Sequence, residues 1–69
     1  MKLWIARDEN GEIYLHTKKP SLFHKIEGMK LVWNSDDWFW LDKNLFPEVT
    51  FENSPMEVEL KLIDEKSKQ

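Results

Sequence analysis

The fold is decided by the stretch Leu3-Trp4-Ile5-Ala6-Arg7-Asp8-Glu9-Asn10-Gly11-Glu12-Ile13-Tyr14-Leu15-His16. In its first half Leu3 and Ile5 fall on one side, in the period of two that is typical of a strand, and its second half alternates in the same way. The Asn10-Gly11 pair tolerates positive φ angles and favours a tight turn. The stretch therefore predicts an antiparallel hairpin with strands at residues 2–6 and 12–17.

Further runs of strand-like alternation follow this hairpin. Residues 29–33 and 38–41 predict two strands joined by a loop at residues 34–37, with Trp33 and Trp38 facing each other across that hairpin. Residues 48–51 predict a short strand. Residues 21–28 fit either a short helix or a strand, and we favour the strand because the neighbouring segments are strands.

The clearest alternation in the chain runs from Met56 to Leu62. Its even-numbered residues are apolar and predict a core face, whereas Glu57, Glu59 and Lys61 predict a solvent-facing side. Such charges also protect an edge strand from pairing with another chain. Before this strand, residues 42–47 predict one helical turn that Asp42 caps and that Pro47 ends.

These segments predict an all-β, mainly antiparallel fold. We expect a small meander or partly closed barrel of five or six strands, with at most one short helical turn. The chain has 69 residues, which predicts one domain over residues 1–63 and a polar tail at 64–69 that frays. It has no cysteine, which excludes disulfides and thiolate metal sites and fits a cytoplasmic protein. We predict neither a signal peptide nor a membrane span.

Nine aromatic side chains decide how the chain builds its core. Burying one ring contributes roughly 4–6 kcal/mol as an upper estimate, and ordering a chain of this length costs on the order of 100 kcal/mol. We therefore expect most rings to be core. For the cluster around Trp38 and Trp40, a core with two packed faces is favoured over an exposed patch that recognises a protein, a sugar or a single-stranded nucleic acid.

Charge is unevenly distributed along the chain, although the net charge is only −3. Residues 1–34 carry two more basic than acidic side chains, and residues 35–69 carry five more acidic than basic ones. This balance argues against nucleic acid as a partner. If residues 48–51 pair with the last strand, four carboxylates gather in one neighbourhood: Glu48, Glu52, Glu57 and Glu59. We favour pairing with lysines inside the protein over an acidic face that docks a basic partner.

Motifs for catalysis are weak throughout. The two glycines do not have the spacing of a phosphate-binding loop, and the serines fall in turns, at strand starts or in the tail. His16, His24 and Glu27 sketch a metal site, but we expect His16 to be half-exposed beside Tyr14 and His24 to lie on the surface. The sequence thus predicts a protein that is not an enzyme and holds no cofactor or metal.

Two stretches carry a resemblance to other proteins. Residues 3–8 with Gly11, residues 13–15 and Lys19-Pro20 form the first, and residues 45–55 with 57–60 form the second. Together they resemble a group of short uncharacterised proteins from gut Bacteroidetes and their phages or mobile elements, and leave the tryptophan-rich middle unmatched. The resemblance implies an accessory gene product and assigns no site residue.

The function that these observations predict is binding of a macromolecular partner, expected to be another protein. The candidate binding residues are two tryptophans of one predicted strand and four carboxylates: Trp38, Trp40, Glu48, Glu52, Glu57 and Glu59. A small metal-dependent protein or enzyme, and a purely structural or self-associating protein, are the alternatives.

Overall fold

The computed structural model describes residues 1–24 and 31–63, which form two antiparallel sheets and no helix. The first sheet has the strand order β5-β2-β1-β6, and the second is the hairpin β3-β4. The strands are β1 (Lys2–Arg7), β2 (Ile13–His16), β3 (Ser21–His24), β4 (Leu31–Asn34), β5 (Trp38–Leu41) and β6 (Met56–Glu59). The all-β prediction is confirmed, and the sheets do not close into a barrel.

The hairpin of β1 and β2 is confirmed. Its register pairs Trp4 with His16 and Arg7 with Ile13. Gly11 takes a φ of 95°, a conformation that side chains with a Cβ rarely adopt, and its N–H donates to the carbonyl of Asp8 at 2.9 Å. A glycine at this position lets the chain reverse within the few residues that join the strands.

The pairing predicted for the tryptophan-rich middle is wrong. β4 pairs with β3, so that Trp33 lies opposite Leu22, and β5 pairs with β2, so that Trp38 lies opposite His16. Trp33 and Trp38 are therefore not cross-strand partners. In the observed pairing Phe39 lies opposite the apolar Leu15 of β2, a cross-strand contact that stabilises a sheet.

The segment between β5 and β6 forms turns. The strand predicted at residues 48–51 is absent, because Asn53 uses its side chain to accept from Thr50 N–H at 2.7 Å, which closes the segment into a turn. Asp42 does cap a turn, accepting from Asn44 N–H at 2.8 Å, but that turn does not continue into a helix. Beyond these turns β6 pairs with β1, and Val58 lies opposite Leu3.

The core is aliphatic. Its buried centre is Ile5, Ile13 and Val49, with Leu15, Leu41 and Val58 packed against it. None of the nine aromatic side chains, all of which are described, is buried, so the prediction that most rings are core is wrong. The central strands β1 and β2 supply Ile5, Ile13 and Leu15 to this core, whereas their rings, Trp4 and Tyr14, are only partly buried. β6 ends at Glu59, so the apolar face predicted to continue through Leu60 and Leu62 is exposed there.

Arg7 fastens the loop after β5 over this core. Its guanidinium donates to five backbone carbonyls, at 2.6–3.2 Å, those of Gly11, Lys43, Leu45, Phe46 and Val49. A planar group with five donors is suited to holding a loop in this way. Nothing in the periodicity of the sequence signalled this role.

Three predictions fall on residues outside those described: the end of the ambiguous segment at 25–28, the start of the predicted strand at 29–30, and the tail at 64–69. Within residues 1–24 and 31–63, no helix has the length and apolar character needed to cross a lipid bilayer.

Candidate partner-binding site

β5 is an edge strand of the larger sheet, and in the described ranges it pairs only with β2. Thr17 N–H donates to the carbonyl of Asp37 at 3.4 Å, so these two residues form a hydrogen-bonded pair of the antiparallel ladder. Hydrogen-bonded and non-hydrogen-bonded pairs alternate along such a ladder. Residues at odd positions of β5, such as Phe39, therefore direct their backbone groups towards β2. The N–H and C=O of Trp38 and Trp40 point outward, to the free edge.

The side chains along this edge are exposed on both faces of the sheet. Trp38 is 54% exposed, Phe39 57% and Trp40 69%. The predicted two-sided core is thus wrong at this point, and the alternative of an exposed aromatic patch describes it. The tryptophans are nonetheless held in place: Trp40 Nε1 donates to Glu12 Oε2 at 2.8 Å, and Trp38 meets Tyr14 edge to face with ring centroids 5.2 Å apart.

The opposite edge, at β6, has a different character. Leu60 N–H donates to the carbonyl of Met1, so the backbone groups of Glu57 and Glu59 point outward there. Their carboxylates pair with lysines, Lys2 to Glu57 at 3.9 Å and Lys61 to Glu59 at 3.2 Å. Charged side chains along an edge discourage strand addition. β6 is a protected edge, whereas the strand β5 itself carries no charge.

The four carboxylates expected to gather do not share a sheet. Glu48 and Glu52 lie exposed in the turns of the segment between β5 and β6, because the strand meant to carry them does not form. Glu57 and Glu59 lie on β6 and have lysine partners. What the fold brings together instead are Trp38 and Trp40, on one face of β5.

A partly open cavity of about 160 Å³ adjoins Trp38. Residues from β2, β4 and β5 line it together with Asp8, which is buried at the end of β1. The carboxylate of Asp8 accepts from Trp33 N–H at 2.7 Å and so ties β4 to the first hairpin. The sequence indicated Asp8 only as part of a turn, and no pattern linked it to Trp33.

His16 lies in the wall of this cavity and is 1% exposed, so the expectation of a half-exposed residue is wrong. Ser35 Oγ–H donates to the carbonyl of Asp37 at 2.9 Å, and His16 Nδ1 lies 2.6 Å from the same Oγ. Because that hydroxyl has one proton, Nδ1–H of His16 is the donor in the second contact. His16 Nε2 then carries a lone pair, and it is buried without a hydrogen-bond partner among residues 1–24 and 31–63.

Burial shifts the pKa values of two titratable side chains in the cavity wall, and both shifts favour the neutral form. Burial lowers the pKa of His16, which keeps its ring neutral. The pKa of Tyr14 is raised, first by burial and then by the negative charges of Asp8 and Glu12. His24, by contrast, is exposed on β3 as expected.

No cluster of three or more potential metal ligands from His, Asp and Glu occurs within residues 1–24 and 31–63. Glu27 of the sketched metal site falls outside these ranges. No protein-family model, no curated protein and no solved structure matches this chain. The resemblance to short proteins of gut Bacteroidetes and their mobile elements stays a prediction.

Proposed function

We propose that this protein binds an extended segment of a partner protein, which adds as a strand to the free edge of β5. The observation that carries the proposal is the contrast between the two edges of the four-stranded sheet. β6 is lined by Glu57 and Glu59, whereas β5 offers the outward backbone groups and exposed rings of Trp38 and Trp40. Backbone hydrogen bonds then supply affinity and side-chain contacts supply selectivity.

The surroundings of β5 favour a basic partner segment. Asp36 and Asp37 precede the strand, Asp42 follows it, and Glu12 lies beside Trp40. A segment that alternates apolar and basic residues matches both the rings and these carboxylates. The absence of cysteine fits a meeting of the two proteins in a reducing cytoplasm.

A second copy of this chain is a poorer occupant of the edge. If two β5 strands paired antiparallel with Trp38 opposite Trp40 of the other copy, Asp36 of one copy would lie opposite Asp42 of the other at both ends of the ladder. Like charges placed opposite each other across strands are destabilising. Charge therefore favours a partner of another sequence over self-association.

The test uses a short blocked peptide of alternating valine and arginine, with hydrogen exchange of single amides measured by NMR. We expect the peptide to slow exchange at the outward N–H groups of Trp38 and Trp40. The N–H of Phe39 already bonds within the sheet and changes little. A peptide with glutamate in place of arginine serves as the control and binds weakly.

Two variants at one position separate backbone from side chain. Trp40→Pro removes an outward N–H without breaking a bond to β2, because proline is tolerated where the N–H faces solvent. Trp40→Val removes the ring and keeps that N–H. Under the proposal the proline variant binds more weakly than the valine variant. Equal binding of the two, or peptide contacts confined to β6, would contradict strand addition at β5, and concentration-dependent dimerisation through β5 would favour self-association.

A further inference from the structure

The cavity beside Trp38 has the lining of a site for an organic cation. Rings of Tyr14, Trp33 and Trp38 form its walls, and Tyr14 and Trp38 meet at 87°, so that two ring systems enclose a corner. Aromatic faces carry partial negative charge and attract ammonium and guanidinium groups. No lysine or arginine of the described ranges lines this cavity.

Two further groups in the lining can contact a bound cation. The carboxylate of Asp8 lies buried in the lining, and the pKa of Tyr14 beside it is raised first by burial and then by the negative charges of Asp8 and Glu12. The neutral ring of His16 adds no opposing charge, and its Nε2 is an acceptor whose hydrogen-bonding capacity is unused within the described residues. Trp33 Nε1–H, in the same lining, is a donor that is likewise unused among the described residues, so an N–H group on the ligand can meet His16 Nε2 while Trp33 Nε1–H stays available to an acceptor.

The size of the cavity limits the ligand to one small group. Its volume of about 160 Å³ is close to that of an apolar cavity of about 150 Å³ that accepts benzene in another protein. A guanidinium with its adjoining methylene is no larger than benzene. A whole peptide does not fit.

We propose that this cavity binds the guanidinium or ammonium group of one basic side chain from the partner strand. The inference deepens the proposed function and rests on it, because it names the side chain that is recognised at the Trp38 face. A strand added to β5 lies about 4.8 Å from it, and its side chains alternate between faces with the same period. A residue opposite Trp38 therefore extends on the face of the cavity, where a long side chain spans the remaining distance.

The first experiment uses N-ethylguanidinium as the probe and N-ethylurea as its neutral counterpart of similar shape. Indole N–H signals of Trp33 and Trp38 are followed by NMR during titration of the folded protein. We expect saturable shifts with the cation and none, or a response at least about tenfold weaker, with the urea. Equal responses to the two probes overturn the proposal.

Matched variants locate the site. Trp38→Leu removes one wall, and because Trp38 is exposed the fold is retained. Phe39→Leu changes the next residue of the same edge, on the opposite face, and is the control. We expect the first variant to lose the saturable shift of Trp33 and the second to keep it. A shift that survives Trp38→Leu places the cation elsewhere and overturns the proposal.

A peptide arm separates this proposal from strand addition itself. Replacing every arginine of the alternating peptide with citrulline removes the charge and keeps the shape. If slowed exchange at Trp38 and Trp40 survives this replacement undiminished, the cation site is wrong and strand addition stands. If neither peptide slows exchange at these residues, strand addition fails, and with it the basic side chain of a partner as the ligand.

Discussion

Ser35 Oγ lies 2.6 Å from His16 Nδ1 and fixes which nitrogen of the buried ring carries the proton. The hydroxyl in turn donates to Asp37, the residue immediately before β5. A single serine therefore links the buried histidine, through two hydrogen bonds, to the start of the edge strand that we propose for partner binding. Protonation at Nε2 would place a charge where no acceptor among the described residues meets it.

Acid should destabilise the fold through His16. Burial lowers the pKa of His16 in the folded state. Below pH 6.5, about the ordinary pKa of histidine, the unfolded chain therefore binds a proton that the folded chain does not bind. The contribution of His16 to the unfolding free energy is constant above that pH. It then falls by at most about 1.4 kcal/mol per pH unit until the folded-state pKa is reached.

Urea unfolding between pH 5 and pH 8, a window set at about 1.5 units either side of 6.5, measures this dependence. His16→Gln should flatten the part of the slope below the histidine pKa. His24→Gln, at the exposed histidine of β3, is the control and should leave it in place. If the pH dependence of the unfolding free energy persists in His16→Gln and disappears in His24→Gln, its assignment to His16 is wrong.

Arg7→Lys should destabilise the protein although the charge is kept. A lysine ammonium has three donors and no planar fork, so at least two of the five carbonyls lose their partner. We expect a loss of about 1–3 kcal/mol in the free energy of unfolding. The exposed Lys18→Ala is the control and should change it by less than about 0.5 kcal/mol. If Arg7→Lys behaves like Lys18→Ala, the contacts of Arg7 with four carbonyls of the loop after β5 and with Gly11 do not stabilise the fold.

Gly11→Ala tests the turn of the first hairpin. The space around a Cβ at this position is open, so any cost comes from the φ of 95° and not from a clash. We expect a loss of about 1–2 kcal/mol, the cost of a left-handed conformation for a residue with a Cβ. Gly11→Asn should cost less, because asparagine visits such angles more readily. Thermal unfolding of both variants gives the comparison, and equal losses would point to a different cause.

Local pattern predicted the elements of this fold better than their partners. Alternation and the Asn10-Gly11 turn were enough for β1 and β2, because both strands and the turn that joins them are contiguous in sequence. The same signals did not predict the partner of β5. Its alternating residues are compatible with either β4 or β2 as the neighbouring strand, and the choice depends on contacts between residues far apart in the chain. Residues 48–51 alternate like a strand, yet they form a turn that hydrogen bonds such as that between Thr50 N–H and the side chain of Asn53 stabilise.

The candidate site was likewise predicted only in part. Trp38 and Trp40 were candidates because alternate residues of a strand share one face of the sheet, and β5 keeps that geometry. Their exposure was mispredicted, because an energy estimate for the whole chain does not say which rings lie at an edge. The cavity was missed entirely, since Asp8 and Trp33 meet through one hydrogen bond across 25 positions and no short motif records it.

The double substitution Glu57→Lys with Glu59→Lys separates the two edges of the sheet. Both carboxylates are exposed, and their pairs with Lys2 and Lys61 are worth about 0–1 kcal/mol each, so the fold should persist. The β6 edge stays charged and therefore protected. Binding of the arginine-valine peptide at β5 should be retained at about 0.15 M salt, where charges more than about 8 Å apart are largely screened.

Asp36→Lys with Asp37→Lys is the matched reversal beside β5 and should weaken binding, with a reduced dependence on salt. If the β6 reversal abolishes peptide binding and the β5 reversal does not, the acidic face of β6 is the docking surface and the assignment to β5 is wrong.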